Sequence, residues 1–229
     1  TVATAQPAAS NTYGSEKVWP NSLIEYEMET VLSVDSTGNE TALTTQVGTP
    51  TLTTGKVGNG VRLNSGDSLS RSNISSLASN TSFSIGGWIN LIDRAGDRTI
   101  LAQRDATAPN AGFDLFFDAS SGGDANVLKL AIDDGVNALG FGSTNGSMAL
   151  GWSHVAATFA GSSTINIYIN GSLNATTPTS VASSGAATVD FLIGLNTTSG
   201  SRDVADSIID GVFAVSGIKT PDQISSEYN

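Results

Sequence analysis

The chain has 229 residues, no Cys and a formal net charge of −11. Its 10 Lys and Arg residues are too few for the basic surface that nucleic acids or anionic membranes require. No apolar run is long enough to span a bilayer, and the absence of Cys excludes disulfide scaffolds, thiol catalysis and thiolate metal sites. With 31 Ser, 25 Thr and 25 Gly, the composition favours one β-rich domain, alone or with an arm.

The chain divides into a short polar start and a long region of short apolar runs. Residues 1–17 are small and polar without a visible period, which predicts an N-terminal arm, a linker or the end of a preceding module. From residue 18 to residue 229, apolar runs alternate with turn residues, which predicts one domain. Strands are predicted at 23–29, 82–92, 112–119, 127–133, 152–160, 165–170, 189–195 and 208–215.

Turn and cap signals support this assignment of elements. The strand at 82–92 places Phe83, Ile85, Gly87 and Ile89 on one face, and Asn170-Gly171 predicts a type I′ hairpin after 165–170. One helix is predicted at the C-terminus, where Thr220-Pro221-Asp222-Gln223 forms a capping-box pattern. Many short strands with a single helix predict a β-sandwich or barrel.

Six segments carry a likeness to a known family. They are, in chain order, 35–39 (DSTGN), 55–63 (GKVGNGVRL), 83–89 (FSIGGWI), 152–156 (WSHVA), 168–171 (YING) and 208–212 (IIDGV). Together they resemble the concanavalin A-like lectin and glucanase jelly rolls, and more closely the laminin-G-like domains of bacterial and viral surface proteins. The resemblance implies an all-β sandwich of two antiparallel sheets over residues 18–229, with a short C-terminal helix.

The N-terminal segment adds a narrower likeness. Residues 8–20 (AASNTYGSEKVWP) resemble the junction at which another module runs into a laminin-G-like domain. This resemblance implies that the chain is part of a larger modular surface protein, whose neighbouring domains are expected partners.

Three glutamates are the strongest enzymatic signal. Glu25, Glu27 and Glu29 alternate along a predicted strand, with a spacing similar to that of the carboxylates of retaining glycosidases in the same superfamily. The glucanase motif lies mid-chain, however, and has Asp where this chain has Glu27. We therefore predict that the three form a solvated strand face without catalytic function.

The histidine and tryptophans predict packing. His154 is the only His. In a strand it shares one face with Trp152 and Ala156, so we expect a hydrogen-bonded His on the core side of its strand. Trp88 and Trp152 are likewise expected to be core aromatics. The pairs Asp93/Asp97 and Asp133/Asp134 are expected at loops or strand ends, either solvated or lining a ligand rim.

Calcium is the one cofactor that the residues suggest. The resemblance implies a site where the loop after the first strand meets the last strand, with Asp35, Asn39 and Asp210 as ligands. Carboxylate and amide oxygens are the donors that Ca²⁺ prefers. The alternative is that Asp35 and Asn39 form an Asx-type turn and that Asp210 is a hydrogen-bonded edge residue.

Two functions remain open from the sequence. The first is a non-enzymatic module of an extracellular, cell-surface or virion protein that binds a glycan or a surface protein, without nucleic-acid binding or membrane insertion. The second is a structural or decorating module of a virus particle or cell surface without a small ligand. A glycoside hydrolase or lyase is the less favoured third, because no catalytic set of residues was found.

Overall fold

A computed structural model describes residues 11–13, 16–18, 21–32, 35–39, 42–106, 110–119, 126–144, 146–196 and 206–229. It contains seventeen strands and one helix within these ranges. The elements are β1 (Asn11–Tyr13), β2 (Glu16–Val18), β3 (Ser22–Tyr26), β4 (Thr45–Val47), β5 (Thr51–Thr54), β6 (Asn59–Leu63), β7 (Ser68–Arg71), β8 (Ser82–Leu91), β9 (Arg98–Arg104), β10 (Gly112–Asp118), β11 (Val127–Asp133), β12 (Ala138–Gly142), β13 (Gly151–Ala160), β14 (Thr164–Ile169), β15 (Ser172–Pro178), β16 (Phe191–Ile193), β17 (Ser207–Ser216) and α1 (Pro221–Tyr228).

Two antiparallel sheets form the body of the domain. The seven-stranded sheet has the order β12-β11-β10-β9-β16-β7-β4. The eight-stranded sheet has the order β15-β14-β13-β8-β17-β6-β5, and β3 pairs with the second half of β17. The predicted all-β sandwich is therefore confirmed. None of the described helices is long and apolar enough to cross a bilayer.

The core lies between the two sheets. Phe83, Ile85 and Ile89 of β8 alternate along the strand and are fully buried, as the sequence predicted. The Phe83 ring centroid lies 5.2 Å from that of Phe113 on β10, so side chains of the two sheets interdigitate. This period of two leaves the intervening residues of each strand on the outer face of its sheet.

A second, smaller cluster lies on the outer face of the eight-stranded sheet. Helix α1 packs there and covers a group of buried residues consisting of Ala156, Tyr168, Phe213, Val215 and Ile224. The predicted capping box is present, because Thr220 Oγ1 accepts from the Gln223 N–H and the Thr220 N–H donates to Gln223 Oε1. The domain thus has three layers at this end, with the helix outermost.

Two predicted core residues lie beneath the helix and not in the main core. His154 and Trp88 are buried on the outer face of the eight-stranded sheet, under or beside α1. Their neighbours Val155 and Ile89 point into the main core. The expectation that His154 lies on the core side of its strand was therefore wrong. Alternation shows which residues share a face, but it cannot distinguish two faces that are both covered.

The structure contains the predicted hairpin turn and several short strands that the sequence did not predict. Asn170 and Gly171 have φ values of 49° and 74°, which confirms the hairpin between β14 and β15. Strands β1 and β2 pair as a short hairpin within the predicted arm, where the sequence showed no period. Strands β4–β7, β9 and β12 were not predicted either.

Candidate functional site

Asp35 and Asn39 lie in the turn that follows β3. Asp35 Oδ1 accepts the N–H groups of Glu25 and Thr37 at 2.8 and 3.1 Å, and Oδ2 accepts the Thr37 hydroxyl at 2.6 Å. Asn39 Nδ2 donates to the Ser22 carbonyl at 2.7 Å. This is the hydrogen bonding of an Asx-type turn, which fixes the loop to the end of the strand.

Asp210 lies on β17 opposite Trp88 of β8, in the interior of the sheet and not at its edge. Its Oδ2 atom accepts the N–H groups of Lys56 and Val57 at 2.8 and 3.0 Å. These partners differ from those of Asp35. Among the described residues, no group of three or more His, Asp or Glu could hold a metal ion. Calcium binding at Asp35, Asn39 and Asp210 stays a prediction.

The three glutamates do not form a solvated face. Glu25 is fully buried and Glu27 is 7 % exposed, while only Glu29 is open to solvent. Glu29 accepts the Asn59 N–H at 3.4 Å, and Glu27 accepts the Ser36 hydroxyl at 3.3 Å. The prediction of a solvated face was therefore wrong for Glu25 and Glu27, because their burial depends on tertiary packing that the strand pattern does not contain.

The carboxyl groups of Glu27, Glu29 and Asp210 lie close enough for their charges to affect one another. Burial, aided by the charges of Glu29 and Asp210, raises the pKa of Glu27 to about 7 against the opposing hydrogen bond from Ser36. Burial and Glu29 raise the pKa of Asp210 to about 6, although backbone N–H donors oppose the shift. Both carboxyls can carry a proton near neutral pH, but they are 7 % and 1 % exposed, so a substrate has little access.

His154 belongs to an aromatic group beside this pair. Its ring meets Trp88 edge-on with a centroid distance of 5.2 Å, and Tyr228 of α1 stacks on Trp88 at 5.6 Å. Burial, with a smaller contribution from the charge of Lys219, lowers the pKa of His154 to about 3. The ring is neutral at physiological pH, and its Nδ1 atom has no hydrogen-bond partner among the described residues. The expected hydrogen-bonded side chain is therefore not observed at Nδ1, and the surroundings are those of a packed aromatic side chain.

The outer face of the seven-stranded sheet has a different chemistry. Phe113, Leu115 and Phe117 of β10 are in the core, so the residues between them lie on the outer face. With their neighbours on β9 and β11 they form a set that we call the polar face, consisting of Thr99, Arg104, Asp114, Phe116, Asp118, Lys129 and Asp133.

Oppositely charged side chains pair across the polar face. Lys129 Nζ lies 2.6 Å from Asp118 Oδ2, and Arg104 lies 4.0 Å from Asp133 Oδ2. Thr99 donates its hydroxyl to Asp114 Oδ1 at 3.4 Å. The side chains of Lys129 and Arg104 are each 20 % exposed, so part of each side chain is accessible from solvent.

Strand β12 leaves the adjoining surface almost free of side chains. Gly142 pairs with Lys129, Gly140 with Ala131, and Ala138 with Asp133. A Cβ at Gly142 would lie 3.1 Å from Lys129 Cγ, so glycine makes room for the lysine side chain. The Lys129 side chain therefore runs across Gly142, and a ligand that lies along β12 would contact this side chain.

The sequence held a partial signal for this face. Both GFDLFFD and VLKLAID alternate between apolar and polar residues, which marks Asp114, Asp118, Lys129 and Asp133 as a face turned away from the core. Only Asp133 was singled out from the sequence, as a residue that could line a ligand rim. The register that brings these side chains together depends on pairing between strands and could not be obtained from either segment alone.

Comparison with known proteins agrees with this architecture. A family profile described as the concanavalin A-like lectin/glucanases superfamily matches residues 59–225. The chain belongs to this superfamily. The match covers β6 to the C-terminal helix and includes all strands that carry the polar face. A search of curated proteins with the sequence gave no match.

Solved structures share the fold at low sequence identity. Domain 4 of AbnA, an extracellular GH43 arabinanase from Geobacillus stearothermophilus solved with arabinotriose, is 18 % identical with a TM-score of 0.70, covering 91 % of this chain and 98 % of that one. The binding domain of Paraclostridial Mosquitocidal Protein 1 is 15 % identical, with a TM-score of 0.70 and coverages of 91 % and 52 %. A structure on botulinum neurotoxin type C, whose cell entry depends on two ganglioside molecules, is 18 % identical, with a TM-score of 0.66 and coverages of 91 % and 51 %. The chain spans about half the length of these toxin chains.

Proposed function

We propose that this domain is a non-catalytic module of an extracellular protein and that it binds glycans on the polar face. The observation that carries the proposal is the pair of partly exposed basic side chains beside the glycine strand β12. Lys129 and Arg104 are each 20 % exposed and supply N–H donors, while the less exposed Asp118 and Asp133 lie against them and hold them in place. Sugar hydroxyls accept hydrogen bonds from such charged donors.

The proposal of a non-catalytic role has a separate basis. General acid catalysis near neutral pH requires an accessible carboxyl that retains its proton. Glu27, whose pKa is raised to about 7, lies beside the other sheet and is only 7 % exposed. The acidic groups of the polar face are engaged by Lys129, Arg104 and Thr99, an arrangement suited to holding a ligand.

The related structures support the same function. Domain 4 of AbnA was solved in complex with arabinotriose, and cell entry of botulinum neurotoxin type C depends on two ganglioside molecules. The first of these is a domain of an extracellular enzyme, which supports an extracellular location for this chain as well. A role on a virus particle is an alternative setting for the same module.

A glycan array followed by calorimetry tests the proposal. We expect saturable binding that falls at least about tenfold in Lys129→Met, because a hydrogen bond from a charged donor contributes about 1.5–3 kcal/mol. Gly142→Leu is expected to block binding, because its side chain would fill the surface beside β12 and displace the Lys129 side chain that lies against Gly142. Lys56→Met is the matched control, since Lys56 lies over Trp88 on the other sheet and is expected to have no effect.

Two results would contradict the proposal. The first is the absence of binding across a broad array, which would favour a structural module without a small ligand. The second is binding that is unchanged in Lys129→Met and Gly142→Leu but lost in Lys56→Met, which would place the site on the eight-stranded sheet.

A further inference from the structure

The net charge of the polar face affects which class of glycan can bind there. Its described residues carry three carboxylates and two basic groups, so the face has a net charge of about −1 when all are ionised. Each basic group already faces a carboxylate, Lys129 at 2.6 Å from Asp118 and Arg104 at 4.0 Å from Asp133. An anionic group on a ligand would compete with these carboxylates for the same two cations.

The neighbouring turn strengthens this negative character. Asp134 follows β11 directly and accepts the N–H groups of Val136, Asn137 and Ala182. These backbone donors lower its pKa to about 2, so Asp134 is ionised throughout the physiological range beside Asp133. The chain as a whole carries a net charge of −11. A negatively charged ligand is therefore repelled both during approach and at contact.

Hydroxyl groups meet no such obstacle. A sugar hydroxyl can accept from the partly exposed Lys129 without separating its ion pair with Asp118, because the ammonium group carries three donors. An uncharged ring also loses little solvation energy when it lies beside β12 against the Lys129 side chain that crosses Gly142. The geometry thus favours neutral ligands on electrostatic and solvation grounds.

We propose that the polar face selects uncharged oligosaccharides and discriminates against glycans that bear carboxylates or sulfates at the point of contact. This inference rests on the proposed function, since it names the ligand class of the same site. A site whose basic residue is free of a carboxylate partner would instead prefer acidic sugars.

The test compares matched neutral and acidic glycans by calorimetry on the intact chain. The probes are neutral oligosaccharides found by the array and their counterparts carrying sialic or uronic acid. We expect at least about tenfold weaker binding of each acidic counterpart, corresponding to about 1.4 kcal/mol. Binding of the neutral probe is expected to be insensitive to salt, because no net charge is neutralised.

Asp118→Asn provides a direct test of the mechanism. This variant removes the carboxylate that faces Lys129, so Lys129 becomes available to an acidic group. The ratio of the Kd for the acidic probe to the Kd for the neutral probe is therefore expected to fall by at least about threefold. Glu29→Gln is the matched control, because it removes one negative charge from the other sheet, where Glu29 accepts from Asn59, and leaves the preference unchanged.

The outcomes separate the two proposals. Equal or tighter binding of the acidic glycans by the parent chain, with Lys129 still required, overturns the neutral preference and leaves the glycan-binding function standing. An equal narrowing in Asp118→Asn and Glu29→Gln also overturns it, because the preference would then follow only total charge. No binding of either probe class overturns the proposed function and the inference together.

Discussion

Removal of the charge of Glu27 is expected to stabilise the domain at alkaline pH. Burial and the nearby charges of Glu29 and Asp210 raise the pKa of Glu27 from 4.5 to about 7 in the folded state. Folding therefore favours protonated Glu27, and this contribution is complete below about pH 4.5 and is lost as the pH rises through about 7. Glu27→Gln keeps an acceptor for the Ser36 hydroxyl and cannot ionise.

The magnitude follows from the size of the shift. About 2.5 pKa units at 1.36 kcal/mol each give an upper limit of about 3.4 kcal/mol. Solvent near this outer face screens the charges, which reduces the expected gain of Glu27→Gln at pH 8 to about 1–2 kcal/mol. For a chain of this length, that corresponds to a Tm increase of about 2–8 °C.

Urea unfolding of parent and variant at pH 8, 6 and 4.5 measures the effect. We expect the gain to be largest at pH 8 and to disappear at pH 4.5, where Glu27 is already protonated. Asp190→Asn is the control, because Asp190 is exposed, and it should change stability by less than about 0.5 kcal/mol. A variant that is less stable than the parent at pH 8, or equally shifted at every pH, would refute this explanation.

Three further predictions concern other parts of the domain. Lys219→Met is expected to lower the free energy of unfolding by about 3–5 kcal/mol, because it removes the ion-pair partner of buried Glu227. In urea unfolding, the double variant Lys219→Met/Glu227→Leu should recover most of this loss. A double variant as unstable as the single one would contradict this explanation. Gly171→Ala is expected to lower stability by about 1–2 kcal/mol more than Gly38→Ala, since both glycines have positive φ but only Gly171 lies against Tyr228 of the helix; equal losses would show that the helix contact is unimportant. The calcium prediction requires that millimolar Ca²⁺ raise the Tm relative to chelator and that Asp210→Ala abolish the rise, and a Tm that does not respond rejects a site at Asp35, Asn39 and Asp210.

The long central strands were predictable because their alternation is complete. Phe83, Ile85 and Ile89 on β8, and Ile165, Ile167 and Ile169 on β14, repeat with a period of two over a strand with one face in the core. The capping box of α1 and the Asn170-Gly171 turn were also predictable, since each depends on residues that are neighbours in sequence.

Three of the strands that escaped prediction, β4, β5 and β12, lie at sheet edges and carry weak local signals. Strands β4 and β5 are exposed edge strands with the sequences TQV and TLTT, so they have no buried face to produce an apolar alternation. Strand β12 is built around Gly140 and Gly142, which carry no side chain to mark a face. Their position is set by pairing with neighbours and not by local preference.

The errors at the candidate sites come from long-range cover. Glu27 is buried in the folded domain, where Ser36 donates to it, and His154 lies beneath a helix more than sixty residues later in the chain. The polar face was visible as two alternating segments, but the contact between Asp118 and Lys129 depends on the register of β10 with β11. Sequence alternation identifies a face and leaves its partner undetermined.

A crystal structure of the domain with a bound neutral oligosaccharide would locate the glycan site. We expect sugar rings along β12, with hydroxyls within hydrogen-bond distance of Lys129 Nζ. A sugar bound instead beside Trp88 and Tyr228 on the eight-stranded sheet would contradict it.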